Sequence, residues 1–235
     1  TNELAKEQAQ SGAPHGFWVS AVTQTLGRGR WGRQWQSQGG NLFLSVILRP
    51  AYSQNWTWIP MLSALVTLDF LLQRLGPLSL TLKWPNDLWL GGRKCAGLLC
   101  ESVSQAGQEP FLILGLGLNV ASAPEGLDQE TACLKQACPN LEADALLQEL
   151  RTELSLGISQ AVKRLEREGP AFVERLFWQH SHFKAGDWVS WKEDQQTLSG
   201  EVRALGSHGE LVVQVHGAEK RLYAEEIRGL RSAGG

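Results

Sequence analysis

Apolar positions along the chain change their spacing several times, and each change marks a different kind of element. Glu3–Ala9, preceded by Thr1 and Asn2, reads as a short capped helix that ends at Ser11-Gly12-Ala13-Pro14. Phe17–Val22 and Asn41–Leu48 are compact apolar runs of strand length, the second closed by Pro50. From Trp58 to Leu75, apolar residues return at steps of three and four (Ile59, Leu62, Leu65, Val66, Leu68, Leu72, Leu75), as a core helix requires, and Gly76-Pro77 ends it. Strands follow over Leu78–Lys83, Asp87–Leu90, Lys94–Val103 and Phe111–Val120, with Gly91-Gly92 joining the second and third as a hairpin. Helical spacing resumes over Glu142–Leu156, Gln160–Glu168 and, after Pro170, Ala171–Gln179.

At Ala185-Gly186-Asp187 the spacing switches to short strands: Trp188–Trp191, Leu198–Leu205, Leu211–Val215 and Arg221–Ala224. A domain boundary is therefore expected between residues 184 and 185. The fold class is α+β, with a main domain over 1–184 and a small SH3-like β-barrel over 185–235.

Composition adds bounds. A length of 235 residues, 43% hydrophobic and 20% charged with net charge −2, describes a globular chain that can bury a core without disulfides. Apolar stretches are broken before the roughly 18 residues of a spanning helix, and no signal peptide opens the chain, so neither membrane nor export is expected. Cys95/Cys100 and Cys133/Cys138 only loosely echo metal-ligand spacing, and ordinary reduced thiols are the simpler reading, pointing to the cytoplasm. The five histidines show no ligand spacing; His180 and His182 read as a helix end.

Charge position says more than its total. No acidic residue lies between Glu7 and Asp69, an interval that holds Arg28, Arg30, Arg33 and Arg49. Three of these sit in Gly27-Arg28-Gly29-Arg30-Trp31-Gly32-Arg33, where glycine permits close backbone approach and arginine offers bidentate donors. The segment suits an anion, phosphate or carboxylate; the competing readings are an RGG-like nucleic-acid contact or a plain surface loop. Neither a P-loop nor a complete dinucleotide fingerprint is present, since Gly115-Leu116-Gly117 lacks the third glycine. Lys83-Trp84-Pro85-Asn86-Asp87 is either a β-turn whose polar side chains cap amides or a pocket wall in which Asp87 meets a metal or a ribose. Lys94 alone reads equally well as a solvated lysine.

Taken in order, Gly27–Trp35, Asn41-Leu42, Lys83–Asp87, Arg93–Gly97 and Gly115–Asn119 resemble the signature of biotin protein ligases. The resemblance implies a class II synthetase-like mixed-sheet catalytic domain, ATP and biotin as substrates, and Mg2+. Thr1, Asn2, Gln24, Arg28, Gly29, Arg30, Lys94 and Gly97 would surround biotin. Arg28, Arg30, Arg33, Trp35, Asn41, Asp87 and Asn119 would line the ATP side, with Trp35 on the adenine and Asn119 at its edge. Lys94, Arg30 and Asp87 would carry the catalysis, and Asp87 would also meet the metal.

The implied reaction adenylates biotin and transfers it to a lysine of the biotin carboxyl carrier protein domain of acetyl-CoA carboxylase. Lipoate protein ligase is the nearest alternative. A biotin-dependent repressor is a third, disfavoured by the absence of a DNA-binding module before Thr1 and by the net charge. DNA is thus not an expected partner, while a sheet edge of the main domain could form a homodimer. The sequence departs from the pattern at Leu26, where a small residue commonly precedes the loop, and over Ala121–Pro139, where no adenylate-covering residues are assigned. The serine that usually precedes Thr1 falls outside the numbering, so a short upstream extension is expected.

Overall fold

The computed structural model describes residues 1–105, 107, 109–193 and 196–233. Its elements, in order, are α1 (Asn2–Gln10), β1 (Trp18–Ala21), β2 (Leu42–Leu48), α2 (Ile59–Leu75), β3 (Leu80–Lys83), β4 (Asp87–Leu90), β5 (Arg93–Val103) and β6 (Phe111–Leu118). Then come α3 (Leu134–Ala137), α4 (Ala143–Glu168), α5 (Ala171–His180), β7 (Trp188–Glu193), β8 (Gln196–Leu205), β9 (Leu211–Val215), β10 (Ala218–Leu222) and β11 (Ile227–Ser232).

Two sheets result, a six-stranded one ordered β1-β2-β6-β5-β4-β3 and a five-stranded one ordered β10-β9-β8-β7-β11. The expected mixed main sheet is corrected here: every ladder in it is antiparallel, and parallel pairing is confined to the isolated bridges Leu82–Ser181 and Lys94–Thr131. The reason lies in the connections. Strands β3 to β6 follow one another through turns too short for the crossover that parallel neighbours need.

All seven residues of β2 are buried, because both faces of the sheet are covered. Leu44, Val46 and Leu48 join the large core beneath α2 and α4, whereas Ile47 packs with Phe111, Ile113, Ala5 and Ala9 under α1. Helix α2, with the 3-10 turn Ser53–Trp58 before it, is the one described segment long and apolar enough to cross a membrane, and more than half of its apolar window lies buried in this core. Its buried Ser63 and Thr67 hydroxyls donate to carbonyls one turn back, at 2.7 and 2.8 Å.

Several expectations need correction. The helices expected over Glu142–Leu156 and Gln160–Glu168 are one 26-residue helix, α4. Gly157 does not interrupt it; a Cβ there would stand 3.1 Å from Val66 Cγ1, so the glycine lets α4 approach α2 closely. Thr1 occupies the N-cap position of α1 without making a side-chain cap, because its hydroxyl is engaged elsewhere. The last hairpin turns at His216-Gly217, both at positive φ, so its second strand is Ala218–Leu222 rather than Arg221–Ala224. A further strand, β11, was hidden by its Arg-rich sequence and by the irregular register between Arg228 and Arg231. Arg49 takes no part in an anion site. Its guanidinium donates to the Ala9 and Ala13 carbonyls at the end of α1 and lies over the Phe111 ring. Residues 194, 195, 234 and 235 of the expected C-terminal unit lie outside the described residues.

The second sheet is clasped to the first by two indoles. Trp58 Nε1 donates to the Ser207 carbonyl at 3.1 Å, and Trp84 Nε1 donates to that of Gly209 at 2.8 Å. The turn they grip is braced by Glu210, only 3% exposed, whose carboxylate accepts from the His208 amide at 2.9 Å and from Arg221 at 2.6 Å. Burial alone would push this carboxyl upward, yet the amide and guanidinium donors hold it below the usual carboxylate range. Its contribution to stability is therefore complete above the ordinary glutamate range and lost as pH falls through the lowered value. Glu210→Gln should cost about 1–3 kcal/mol at pH 7 and make urea midpoints less sensitive to acid than in the wild type. Equal acid sensitivity in both proteins would contradict this role.

Candidate active site

The Gly-Arg loop emerges from β1 and folds on itself before entering β2. Trp35 N–H donates to the Gly27 carbonyl at 2.9 Å and Gly29 N–H to that of Arg33 at 2.7 Å, closing a turn around the 3-10 segment Arg30–Gly32. Gly27 is required by contact: a Cβ would lie 2.3 Å from the Trp35 carbonyl oxygen. The loop roofs a cavity of about 810 Å³ whose floor is the α1-side face of β5 and β6.

That floor is bare. Gly97 and Gly117 are cross-strand partners, and Gly115 lies two residues along β6 on the same face. A Cβ on Gly117 would stand 2.4 Å from Trp35 Cε2, one on Gly97 2.9 Å from Trp35 Cζ3, and one on Gly115 2.5 Å from Asn2 Oδ1. The Trp35 ring and the Asn2 amide therefore lie directly on backbone. Trp35 Nε1 is buried with no hydrogen-bond partner among the described residues, as is that of Trp89, another cavity residue.

At one end a polar cluster fixes the start of α1. Thr1 Oγ1 donates to Gln24 Oε1 at 3.0 Å, Gln24 Nε2 donates to Ser37 Oγ at 3.1 Å, and Asn2 Nδ2 donates to Glu101 Oε2 at 2.6 Å. The buried Ser45 hydroxyl stands 2.7 Å from Thr1 Oγ1 and 2.6 Å from Asn2 Oδ1. Neither Ser45 nor Glu101 stood out in the sequence, because an isolated polar residue within a strand carries no motif.

In the middle, Lys94 Nζ and Asp87 Oδ1 form an ion pair at 2.6 Å, both side chains mostly shielded from solvent, and Nζ lies 5.5 Å from the Trp35 ring centre. Residues 130–132 run beside Lys94: its amide donates to the Glu130 carbonyl, and Ala132 N–H donates to the Lys94 carbonyl. The segment after Asn119 thus returns over the cavity, where Pro124, Leu127 and Asp128 form part of the wall. Its composition gave no periodic signal.

Two of the three loop arginines are already engaged. Arg28 pairs with Glu3 at 2.8 Å, both exposed. Arg30 donates to Asn86 Oδ1 at 3.2 Å and to the Ala224 carbonyl in the turn between β10 and β11. Burial lowers the Arg30 pKa, opposed by Asp87 and Glu225.

All but one of the residues expected at the site border the cavity: Thr1, Asn2, Gln24, Arg28, Gly29, Arg30, Arg33, Trp35, Asp87, Lys94, Gly97 and Asn119. Asn41 does not. Its Oδ1 accepts from the amides of Val120, Ala121 and Ser122, so it shapes the segment after Asn119 instead of facing a ligand. Asn119 Nδ2 donates to the Ala132 carbonyl at 3.1 Å, tying the returning segment to the floor.

Lys83 was expected only as part of a turn. Its ammonium sits 4.1 Å above the Trp89 ring and borders the cavity, and burial, with smaller contributions from Lys94 and Arg231 against Asp87, brings its pKa down to about 8. The free protein therefore holds this cation below pH 8 and loses it above. Affinity for a polyphosphate such as ATP should fall as pH rises through this value, and in Lys83→Met the fall should be absent, as calorimetric titrations between pH 7 and 9 can measure. Parallel profiles for the two proteins would contradict the assignment.

Comparison with known proteins places this geometry. The model of the Biotin/lipoate A/B protein ligase family matches residues 1–119. The chain is 26% identical over 234 residues to the bifunctional ligase/repressor BirA of Bacillus subtilis (strain 168), covering 97% of this chain and 70% of that protein. It is 38% identical over 165 residues to the biotin–[acetyl-CoA-carboxylase] ligase of Mycobacterium tuberculosis, covering 66% of this chain and 60% of that protein. The fold matches that of the Aquifex aeolicus biotin protein ligase, solved in complex with biotin and ATP, with a TM-score of 0.78 at 24% identity over 97% of this chain and 95% of that one. With the family model spanning half of its length, the chain belongs to the Biotin/lipoate A/B protein ligase family.

Proposed function

We propose that the chain is a biotin protein ligase, forming biotinyl-5'-AMP from biotin and ATP and passing the biotinyl group to a lysine of a biotin carboxyl carrier domain. The observation that carries this reading is the convergence, around one cavity, of three floor glycines that seat Trp35 and Asn2 directly on the sheet, the Lys94–Asp87 pair and a roof of Gly and Arg. Such a site offers an indole and polar amides to an uncharged ligand body, and cations to two anions. The carboxylase named for the Mycobacterium tuberculosis relative supports a carboxylase carrier as acceptor.

In the first step, a carboxylate oxygen of biotin attacks the α-phosphorus of ATP, and the bond to the departing pyrophosphate breaks. Two anions must meet, so their repulsion has to be offset by positive charge placed in advance. Lys94 Nζ has three N–H donors, so it can keep Asp87 and still reach the carboxylate and the α-phosphate. Arg28, Arg30 and Arg33 supply further charge from the roof, and Thr1, Asn2 and Gln24 hold the far end of biotin through the network anchored on Ser45 and Glu101. Trp35 and Asn119 border the nucleotide. Most of the acceleration comes from positioning and electrostatics.

Magnesium fits this site in a limited way. No cluster of three metal-ligating side chains occurs among the described residues. A nucleotide-bound Mg2+ needs only one or two carboxylates besides phosphate oxygens, and Asp87 at the cavity wall suits that role. The ion would neutralise the leaving pyrophosphate.

In the second step, the ε-amine of the acceptor lysine attacks the acyl carbon, the bond to the phosphate oxygen breaks, AMP departs, and the amine's proton passes to solvent water. Residues 1–184 form the catalytic unit in this reading. Residues 185–235 form an SH3-like unit that closes one side of the cavity.

Incubation with ATP, magnesium and either biotin or lipoate, followed by mass spectrometry of an added carrier domain, tests the proposal. Biotin-dependent addition to the carrier lysine should fall by about 10²–10³-fold in Lys94→Ala; a gain with lipoate alone, or none with either acid, would overturn it. Arg30→Gly, which removes the ties to Asn86 and Ala224, should raise labelling of bystander lysines by escaped adenylate. Labelling equal to wild type would show that Arg30 does not retain the intermediate.

A further inference from the structure

The roof of the cavity is tied at two adjacent residues to β11 and the turn before it, and the second tie is unusual. Trp31 has φ 61 and ψ 31, a left-handed conformation that bulky residues rarely adopt. Its indole is 40% exposed, so burial does not account for its position. What faces it is Arg228, whose guanidinium lies 4.4 Å from the ring centre. Among the described residues Arg228 has no carboxylate within ion-pair distance, and its ladder partner is Lys192, of like charge.

Local backbone form explains how it is presented. The register of β11 on β7 shifts between Arg228 and Arg231, with Gly229 at φ +64 inside the irregularity. This bulge turns Ile227–Arg231 toward the cavity, which all five residues border. One residue earlier in the roof, Arg30 donates to the Ala224 carbonyl just before the same strand.

We infer that the β11 bulge is a latch for the Gly-Arg loop, with Arg228 a positioning residue that holds Trp31, and through it Arg30 and Arg33, over the nucleotide side of the cavity. The inference rests on the proposed adenylation for its consequence but not for its geometry. A cation on the face of an indole is favourable without requiring a buried partner, so it can form and release as ligands enter and leave. Opening the latch frees Trp31 to leave its left-handed conformation, and the two guanidinium groups beside it move with the turn.

Hydrogen exchange on the full chain without ligand tests the latch directly, at the amides of Gly29, Arg33 and Trp35, whose hydrogen bonds close the loop. Arg228→Met keeps the aliphatic stem and removes the charge. Trp31→Asn removes the ring while keeping a residue that tolerates positive φ. Each should speed exchange at these amides by roughly three- to tenfold, with strands β7 to β9 unchanged; the double variant should add little to either single one, and Arg228→Lys should fall between. Unchanged loop exchange in Arg228→Met overturns the inference, as does faster exchange spread evenly over the second sheet, which would mark a merely structural arginine. With biotin, ATP and magnesium added, Arg228→Met should raise the KM for ATP more than it lowers kcat and raise the fraction of adenylate released. A loosened loop with no added release would overturn the retention role. If the wild type forms no adenylate, the proposed function fails while the exchange result still decides the latch.

Discussion

The site depends on three glycines in the sheet beneath it. Gly97, Gly115 and Gly117 place backbone, not methyl groups, beneath Trp35 and Asn2, with hypothetical Cβ positions 2.4 to 2.9 Å from those side chains. Adding volume there would force the indole or the amide off the floor, at a cost of about 1–3 kcal/mol for overpacking alone. Because the opposite face of β5 and β6 belongs to the main core, the floor is rigid. Everything that meets at the cavity, including the start of α1, the Gly-Arg loop and the Lys94–Asp87 pair, is positioned against it.

Walls for this floor come from segments far apart in sequence, and each is pinned by backbone-directed hydrogen bonds. Asn41 gathers three successive amides after Asn119, and Asn86 joins Arg30 to the backbone of β5. Two indoles fasten the second sheet to the first, one of them from Trp84 inside the Lys83–Asp87 turn. The second sheet therefore bears on the site twice, below through Trp84 and above through the ties to Arg30 and Trp31. Charge follows the same plan. Three of the cavity's cations, Arg28, Arg30 and Lys94, are already held by Glu3, Asn86 or Asp87, which orients their donors in advance.

Much of this was legible in the chain. Apolar spacing located α2 and the strands of the main sheet, and the Gly/Arg run, Lys83–Asp87, Lys94 and Gly115–Asn119 all reach the same cavity. What escaped was encoded in contacts between distant residues. Gly157 looks like a break in α4 until Val66 is set against it, and Asn41 looks like a ligand residue until the amides of residues 120–122 are seen to occupy its oxygen. The bulge in β11 and the return of residues 121–131 have no periodicity to read, and the roles of Ser45 and Glu101 exist only once Asn2 lies between them.

In the proposed first step this cavity joins a biotin carboxylate to the α-phosphate of ATP. Exchange of labelled pyrophosphate into ATP measures that step without any acceptor protein. Exchange should require biotin, saturate with it and not be supported by lipoate. Exchange that proceeds without biotin, or that fails at saturating biotin and ATP, would contradict it.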